Sequence, residues 1–287
     1  MMKIAIYGSR RQHEALADIG LFLDAMRRSG VAVVMHSKIY DHLQELRPAM
    51  LEAVGRADTP DGADLAVSLG GDGTFLRTAQ WVGDRQIPIV GVNTGHLGYL
   101  AALTLDELPL LLDYINDDRF RIERRSLLRV ETPALPDYVG CYALNEVSLF
   151  KEESASMINA SVAIDGAPLA DYRADGLIVC TSTGSTAYNL SIGGPIVQPT
   201  LDVIVLSPLA AHSLSMRPMV VDGGSTVTIV PTGRSRHVRL AIDGRSALID
   251  AGTEIILTRA PYRVLVMQLA DHNFADVLRH KLHWGEQ

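Results

Sequence analysis

Apolar and polar positions follow two regimes along the chain. In the first third, short apolar runs alternate with stretches of helical spacing. Lys3–Tyr7 is an apolar run that ends at Gly8. Residues 12–29 repeat apolar positions at Leu16, Ile19, Leu23, Ala25 and Met26, and Arg27 and Arg28 precede Gly30. That spacing and ending predict a helix. Val31–Met35, Leu65–Leu69 and Ile87–Val92 predict strands, while Thr74–Val82 and residues 39–54 predict helices, the latter with Pro48 in its middle. A helix is also expected over residues 104–116, with Thr104 as N-cap and Glu107 completing a capping box. Strands alternating with helices imply parallel pairing in an open α/β sheet.

From Arg121 to Met267 the apolar runs are short, rich in Val and Ile, and broken by Gly, Pro and Asp. They include Leu127–Glu131, Tyr142–Phe150, Ile158–Ile164, Leu177–Cys180, Val203–Leu206, Thr226–Val230, Val238–Ile242 and Glu254–Leu257. This is an all-β pattern, sandwich-like with two sheets. Residues 272–283 predict a closing helix. The expected division is an α/β domain over 1–120, joined by about 270–287, and a β-rich domain over 121–269.

A length of 287 residues suits two domains. Lys and Arg total 26 against 33 Asp and Glu, a net charge of −7, with no long basic block. That balance excludes nucleic acid and anionic membrane as natural partners. No apolar stretch approaches the ~18 residues of a membrane span. The first residues read as a strand, not as a signal peptide. With 47% hydrophobic residues the chain can bury real cores, and a cytoplasmic protein is expected. Cys141 and Cys180 make no disulfide framework and no metal spacing. Both read as buried thiols in strands. His36, His42, His96, His212 and His237 are scattered, and His272, His280 and His283 sit near the end, so all read as structural or surface residues. Arg124-Arg125 and Arg234-Ser235-Arg236 read as solvated basic turns.

The 24 glycines are uneven: ten fall within residues 70–98 and 181–194. In the first cluster, strand Leu65–Leu69 runs into Gly70-Gly71-Asp72-Gly73-Thr74 and then a helix. Free backbone N–H groups and the helix dipole there favour a phosphate. Thr74 can cap the helix or bond a phosphate oxygen. Asp72 repels phosphate, which makes it either a metal partner or hydroxyl-proton acceptor, or a local cap in a tight turn. Arg77 can neutralise phosphate or be a solvated surface arginine. The segment is neither a Walker P-loop nor a dinucleotide Gly-x-Gly-x-x-Gly, and the first turn, Gly8-Ser9-Arg10-Arg11, also lacks that fingerprint. Residues 89–100 end a second strand in glycines, on the same expected sheet edge, where open parallel sheets gather ligands.

The second cluster carries seven hydroxyl-bearing residues among Thr181–Ser191. Hydroxyls and amides suit a base and a ribose, with Tyr188 flanking a ring, or they form a Ser/Thr-rich surface loop. Leu190, Ile192 and Pro195 point to a packed loop. Upstream, Asn145 and Glu146 interrupt an apolar strand. An ionised Glu there needs a partner, either ribose hydroxyls or an arginine such as Arg124 or Arg129.

These segments resemble the NAD kinase family. The matching residues are GGDGT at 70–74, GVNTGHLGYL at 91–100, LNEVSL at 144–149, DGLIVCTSTGSTAYNLSIGGPIV at 175–197 and AHSLSMRP at 211–218. The GGDGT segment is shared with lipid kinases and phosphofructokinases; the 175–197 block is more specific. The resemblance implies transfer of the γ-phosphoryl group of ATP to the 2′-hydroxyl of the adenosine ribose of NAD, giving NADP. It implies an N-terminal α/β domain, a C-terminal β-rich domain, a nucleotide bound between them, and a homodimer or homotetramer. Asp72 would accept the hydroxyl proton, with Gly70, Gly71, Gly73 and Thr74 forming the phosphate turn. Asn145 and Glu146 would contact ribose and base. Thr183, Thr186, Ala187, Tyr188, Asn189, Leu190 and Ser191 would line the adenosine pocket. Arg173 and Asp175 would reach the nicotinamide half, often from a neighbouring subunit. Asp243-Gly244-Arg245 resembles a late family motif whose third position varies. A divalent metal, Mg²⁺ delivered with ATP, would offset repulsion between Asp72 and phosphate; no protein metal ligand is assigned. The rival readings are a lipid kinase of the diacylglycerol or sphingosine type and a non-catalytic dinucleotide sensor. A lipid kinase would need a greasy acceptor pocket. The sensor would not need Asp72.

Overall fold

A computed structural model of the chain describes residues 1–8, 16–95, 98–101, 103–133, 135–152, 157–270 and 273–282. The Ser9–Arg11 turn, His96, His272 and His283 lie outside the described residues. The chain divides into two compact units, Met1–Arg124 with Val264–Gln287, and Arg125–Arg263.

The first unit is built on β1 (Lys3–Gly8), α1 (Leu16–Arg28), β2 (Ala32–His36), α2 (Ser37–Leu46), β3 (Val54–Ala57), β4 (Leu65–Leu69), α3 (Asp72–Val82), β5 (Ile89–Asn93), β6 (Leu103–Thr104), α4 (Leu111–Asn116) and β7 (Phe120–Arg125). The second unit contributes β8 (Leu128–Glu131), β9 (Tyr142–Ala143), β10 (Glu146–Lys151), β11 (Ile158–Ile164), β12 (Ala167–Ala174), β13 (Gly176–Thr181), α5 (Tyr188–Ser191), β14 (Val203–Leu209), β15 (Met219–Asp222), β16 (Val227–Gly233), β17 (His237–Ile242), β18 (Arg245–Asp250) and β19 (Ile255–Arg259). The chain then returns to the first unit with β20 (Val264–Leu269) and α6 (Phe274–Leu282).

The first unit holds one eight-stranded sheet, ordered β3-β2-β1-β4-β5-β20-β7 with β6 beside β5. The pairs from β3 through β20 are parallel. β4 and β5 are buried at every position, as strands covered on both faces must be. Ile19, Phe22 and Met26 of α1 and Ile39 and Leu43 of α2 pack against Ile4, Ile6 and Met35. β20 carries apolar residues on both faces like its neighbours, so Val264–Met267 belongs to this sheet and not to the β-rich region.

Two helices differ from expectation for one reason, proline. Pro48 ends α2 at Leu46 and opens a separate 3-10 helix, Pro48–Leu51. At residues 104–116 the Glu107 carboxylate accepts from Thr104 N–H and Oγ at 2.9 and 2.8 Å, but the α-helix starts only at Leu111, after Pro109.

The second unit is an antiparallel sandwich. One sheet runs β15-β14-β13-β10-β17-β18, the other β12-β11-β16-β19-β8-β9. Alternate residues of both sheets, such as Leu149, Val179 and Leu240 from one and Ile158, Ile229 and Leu257 from the other, form a shared core. β13 is buried on both faces. Leu177 and Val179 face the sandwich core, whereas Ile178 and Cys180 join Val197 and Val205 in a second cluster. The outer cluster holds the segment after β13 against the sheet.

The expected strand Tyr142–Phe150 is split. β9 ends at Ala143 and β10 begins at Glu146, because the amides between them are taken by a side chain from elsewhere.

Candidate functional site

In the first unit, β4 ends in Gly70-Gly71 and α3 starts at Asp72, with Gly71 as N-cap. Thr74 and Phe75 donate their N–H groups to the Gly71 carbonyl at 2.8 and 3.1 Å. Thr74 is buried, with its side chain against Gly70. Gly71 and Gly73 have open space where a Cβ would be, so an anion can approach the backbone there. Arg77 is exposed on α3, near enough to Tyr7 for its charge to favour the phenolate.

The Asp72 carboxylate is half-buried and fixed. Its Oδ2 accepts from Tyr99 N–H at 2.9 Å and its Oδ1 from Leu100 N–H at 3.1 Å. It therefore joins the helix start to the connection after β5. Gly98 makes this possible, since a Cβ there would overlap Asp72 Oδ1. Each carboxylate oxygen keeps accepting capacity for an outside hydroxyl.

In the second unit, Asn145 and Glu146 sit at the break between β9 and β10. Asp243 occupies the two-residue hairpin turn between β17 and β18, with φ +46° at Asp243 and +78° at Gly244. Its carboxylate accepts from three consecutive N–H groups: Leu144 at 2.8 Å, Asn145 at 2.9 Å and Glu146 at 3.1 Å. Burial pushes the Asp243 carboxyl up, while the three amides and Arg245 pull it back. Glu146 is more perturbed: burial and then the Asp243 charge push its carboxyl to about 7. Glu146 Oε2 is buried with no hydrogen-bond partner among the described residues. Arg129 is not its partner; Arg129 pairs with Glu131 at 3.3 Å. Arg245 lies over Gly140, and its Nη2 donates to the Tyr142 carbonyl at 3.4 Å.

The hydroxyl-rich segment is packed, as Leu190, Ile192 and Pro195 suggest, but its polar atoms are mostly spent inside it. Thr181 Oγ1 donates to the Leu144 carbonyl at 2.6 Å, and Ser182 Oγ to the Leu201 carbonyl at 2.6 Å. Ser185 Oγ donates to the Ser182 carbonyl and accepts from Val197 N–H at 3.0 Å. Thr186 Oγ1 donates to the Thr183 carbonyl at 3.3 Å. Asn189 is wholly buried: its Nδ2 donates to the Ser185 and Pro195 carbonyls and its Oδ1 accepts from Ser207 Oγ at 2.6 Å. Gly184 passes over the Asn145 backbone so closely that a Cβ would overlap the Asn145 carbonyl. Thr183, 4% exposed, accepts from Arg125 Nη1 at 3.4 Å.

Tyr188, by contrast, is 39% exposed, with its ring 5.8 Å from that of Phe150. Ala187 and Leu190 are half-buried and Ser191 is exposed. The structure thus gathers Asn145, Glu146, Thr183, Thr186, Ala187, Tyr188 and Asp243 around the break after β9. Arg173 is on β12 and Asp175 just after it. Arg173 is exposed, and Asp175 accepts from Lys151 Nζ at 2.8 Å.

Among the described residues, no group of three His, Cys, Asp or Glu side chains could hold a metal. His36 Nδ1 accepts from Lys38 N–H and caps α2, and His237 lies between Glu152 and Asp250. Sequence reasoning missed two partners. Ser207 carried no signal, because its role depends on β14 pairing with β13. The amides of Tyr99 and Leu100 lay in a recognised motif, but nothing there shows where their hydrogens point.

The family model for the ATP-NAD kinase N-terminal domain matches residues 12–120, and that for the ATP-NAD kinase C-terminal domain matches residues 144–269. The NAD kinase of Porphyromonas gingivalis is 41% identical over 291 residues, covering 99% of both chains. That of Bacteroides fragilis is 36% identical over 285 residues, covering 99% of this chain and 98% of the relative. Among solved structures, the yeast NADH kinase complexed with NADH is similar with a TM-score of 0.87 at 24% identity, covering 100% of this chain and 89% of that one. An NAD kinase from Archaeoglobus fulgidus in complex with ATP is similar with a TM-score of 0.70 at 26% identity, covering 92% and 93%.

Proposed function

This chain belongs to the NAD kinase family and is an NAD kinase enzyme, and from that premise we propose that it transfers the γ-phosphoryl group of ATP to the 2′-hydroxyl of the adenosine ribose of NAD. The observation that carries the reading is Asp72. A fixed carboxylate stands at the first position of a helix whose glycine turn is open to anions. Amides alone would serve a phosphate. The carboxylate adds an acceptor for a hydroxyl, which is what phosphoryl transfer to an alcohol requires.

Gly70, Gly71, Gly73 and Thr74 form the phosphate turn, and Arg77 neutralises phosphate charge. Asp72 orients the hydroxyl and takes its proton late in the transfer, as its two amide bonds hold it in place. Asn145, Glu146 and the wall from Thr183 to Ser191 bind the dinucleotide, with Asn189 supporting that wall from inside. Arg173 and Asp175 serve the nicotinamide half, and Arg245 is a further NAD-binding residue. Mg²⁺ would be carried by the phosphates of ATP, with Asp72 the carboxylate at the turn. When bound, the cation supplies charge neutralisation on the transferred group. No described helix is long and apolar enough to cross a membrane. A cytoplasmic homodimer or homotetramer completes the reading.

The test is incubation with ATP, Mg²⁺ and NAD, followed by NADP detection with an NADP-specific dehydrogenase. Parallel arms replace NAD by NADH and ATP by polyphosphate. NADP formation is expected. NAD binding without product would favour a dinucleotide sensor and sink the proposal. Sedimentation velocity reads the assembly.

A further inference from the structure

We propose that Asp243 is a positioning residue for dinucleotide recognition: its carboxylate sets the backbone of Asn145 and Glu146 and leaves the Glu146 carboxyl for a hydroxyl of the ligand. The inference rests on the reading of Asn145 and Glu146 as dinucleotide contacts.

Three consecutive N–H groups, from Leu144 to Glu146, converge on this one carboxylate. In an uninterrupted strand those donors would pair with a neighbouring backbone, and no charge would be buried. The chain instead breaks the strand between Ala143 and Glu146 and places a buried acid at a turn with φ +46°. That arrangement costs stability twice. It buries a carboxylate, and it sets a like charge beside Glu146, the second-largest cause of the raised Glu146 carboxyl after burial. Asp243 has three amides and Arg245 to hold its charge. Glu146 has the Tyr188 N–H, while its Oε2 has no partner among the described residues. Across the strand pair it faces Cys180, whose thiol burial and Glu146 keep neutral. Cys141 lies near Arg245, not as a partner of Glu146. A hydroxyl donor from the ligand supplies what Glu146 lacks.

The ionised carboxyl is the form that accepts a hydroxyl hydrogen. With its carboxyl at about 7 in the free protein, NAD affinity rises with pH through that value and then levels. One unit below it, about a tenth of Glu146 is ionised, so binding is about tenfold weaker at pH 6 than on the plateau. Asp243→Asn removes the like charge, so the rise moves to lower pH. It also sets an amide NH₂ against one of the three N–H groups, which weakens binding on the plateau.

The experiment is calorimetric titration of the full chain with NAD between about pH 5.5 and 8.5, for wild type, Asp243→Asn and Glu146→Gln. We expect the wild-type rise near pH 7 and none in Glu146→Gln. Asp243→Asn should bind at least ~5-fold more weakly on the plateau and rise at lower pH than wild type. KM for NAD should follow these changes while KM for ATP stays within about twofold. A wild-type midpoint kept in Asp243→Asn, or a pH dependence kept in Glu146→Gln, overturns the proposal.

Should Asp243→Asn not fold, melting temperatures of wild type and Glu146→Gln decide. The folded carboxyl holds its proton to about 7 against an ordinary 4.5, so the folded state binds more protons in that window and wild type loses stability as pH rises through it. Glu146→Gln should gain on wild type between about pH 5 and 8, and no gain refutes the buried, ligand-seeking carboxyl. Binding needs no turnover. A chain that binds NAD in this pH-dependent way but makes no NADP refutes the kinase reading and leaves this one standing.

Discussion

The two glycine-rich segments of this chain spend their polar groups in opposite ways. The turn at 70–74 faces outward: Gly71 and Gly73 have open space beside them, Arg77 is exposed, and the Asp72 side chain is held by amides that leave its oxygens able to accept more. The segment 181–191 faces inward. Thr181, Ser182, Ser185, Thr186 and Asn189 are all hydrogen-bonded within the protein, and only Tyr188 and Ser191 of its polar residues are exposed. A cluster of small polar residues can therefore mean either a surface for a ligand or the frame behind one. Deleting single side chains separates the two.

The largest effect belongs to the outward turn. Asp72→Ala should lower kcat by about 10²–10⁴-fold, the range for a lost general base, with Kd for NAD within about threefold. Steady-state kinetics and calorimetry measure both. Near-normal turnover with intact NAD binding would end the assigned role. Gly98→Ala should approach that effect without touching the carboxylate, because its Cβ overlaps Asp72 Oδ1 and drives the side chain off the Tyr99 and Leu100 amides. Here kcat falls by at least ~10-fold, and unchanged kcat would mean that the clamp on Asp72 has no part in turnover.

The inward segment should answer with stability. Asn189→Ala strands the Ser207 hydroxyl and the Ser185 and Pro195 carbonyls in a buried site. At about 1–3 kcal/mol for a buried group left unpaired, less what relaxation recovers, the loss is about 3 kcal/mol. Urea denaturation measures it. A stable variant with much weaker NAD binding would show that Asn189 belongs to the ligand surface after all.

This contrast explains what was legible in the sequence. The alternation of strand and helix before residue 120 and the short Val- and Ile-rich runs after it disclosed an α/β region and a β sandwich, because burial on one or two faces leaves a period in the chain. The strand β18 was missed although Asp243-Gly244, flanked by apolar alternation, is a hairpin signal. β20 was assigned to the wrong layer because a buried strand reads the same in a parallel sheet and in a sandwich. Motif residues were found by type, but the direction of their hydrogen bonds was not. Asn189 and Tyr188 are neighbours in one motif, one wholly buried and one 39% exposed. The break at Leu144–Asn145 depends on a carboxylate almost a hundred positions later, and no local pattern records it.

Arg77 gives the smallest effect and the finest discrimination. It lies on α3 beyond the glycine turn, and exposure means that water already screens its charge. A charge-assisted bond to phosphate is worth about 1.5–3 kcal/mol when well sheltered, and an exposed one is worth less. Arg77→Ala should therefore raise KM for ATP by about 3- to 10-fold and leave KM for NAD unchanged. Its melting temperature should stay near wild type, since a surface substitution typically changes stability by under ~0.5 kcal/mol. The KM effect should shrink as salt is added. A variant with wild-type KM for ATP at low salt would reduce Arg77 to a solvated surface residue, and the outward turn would then hold phosphate by its amides and the cation alone.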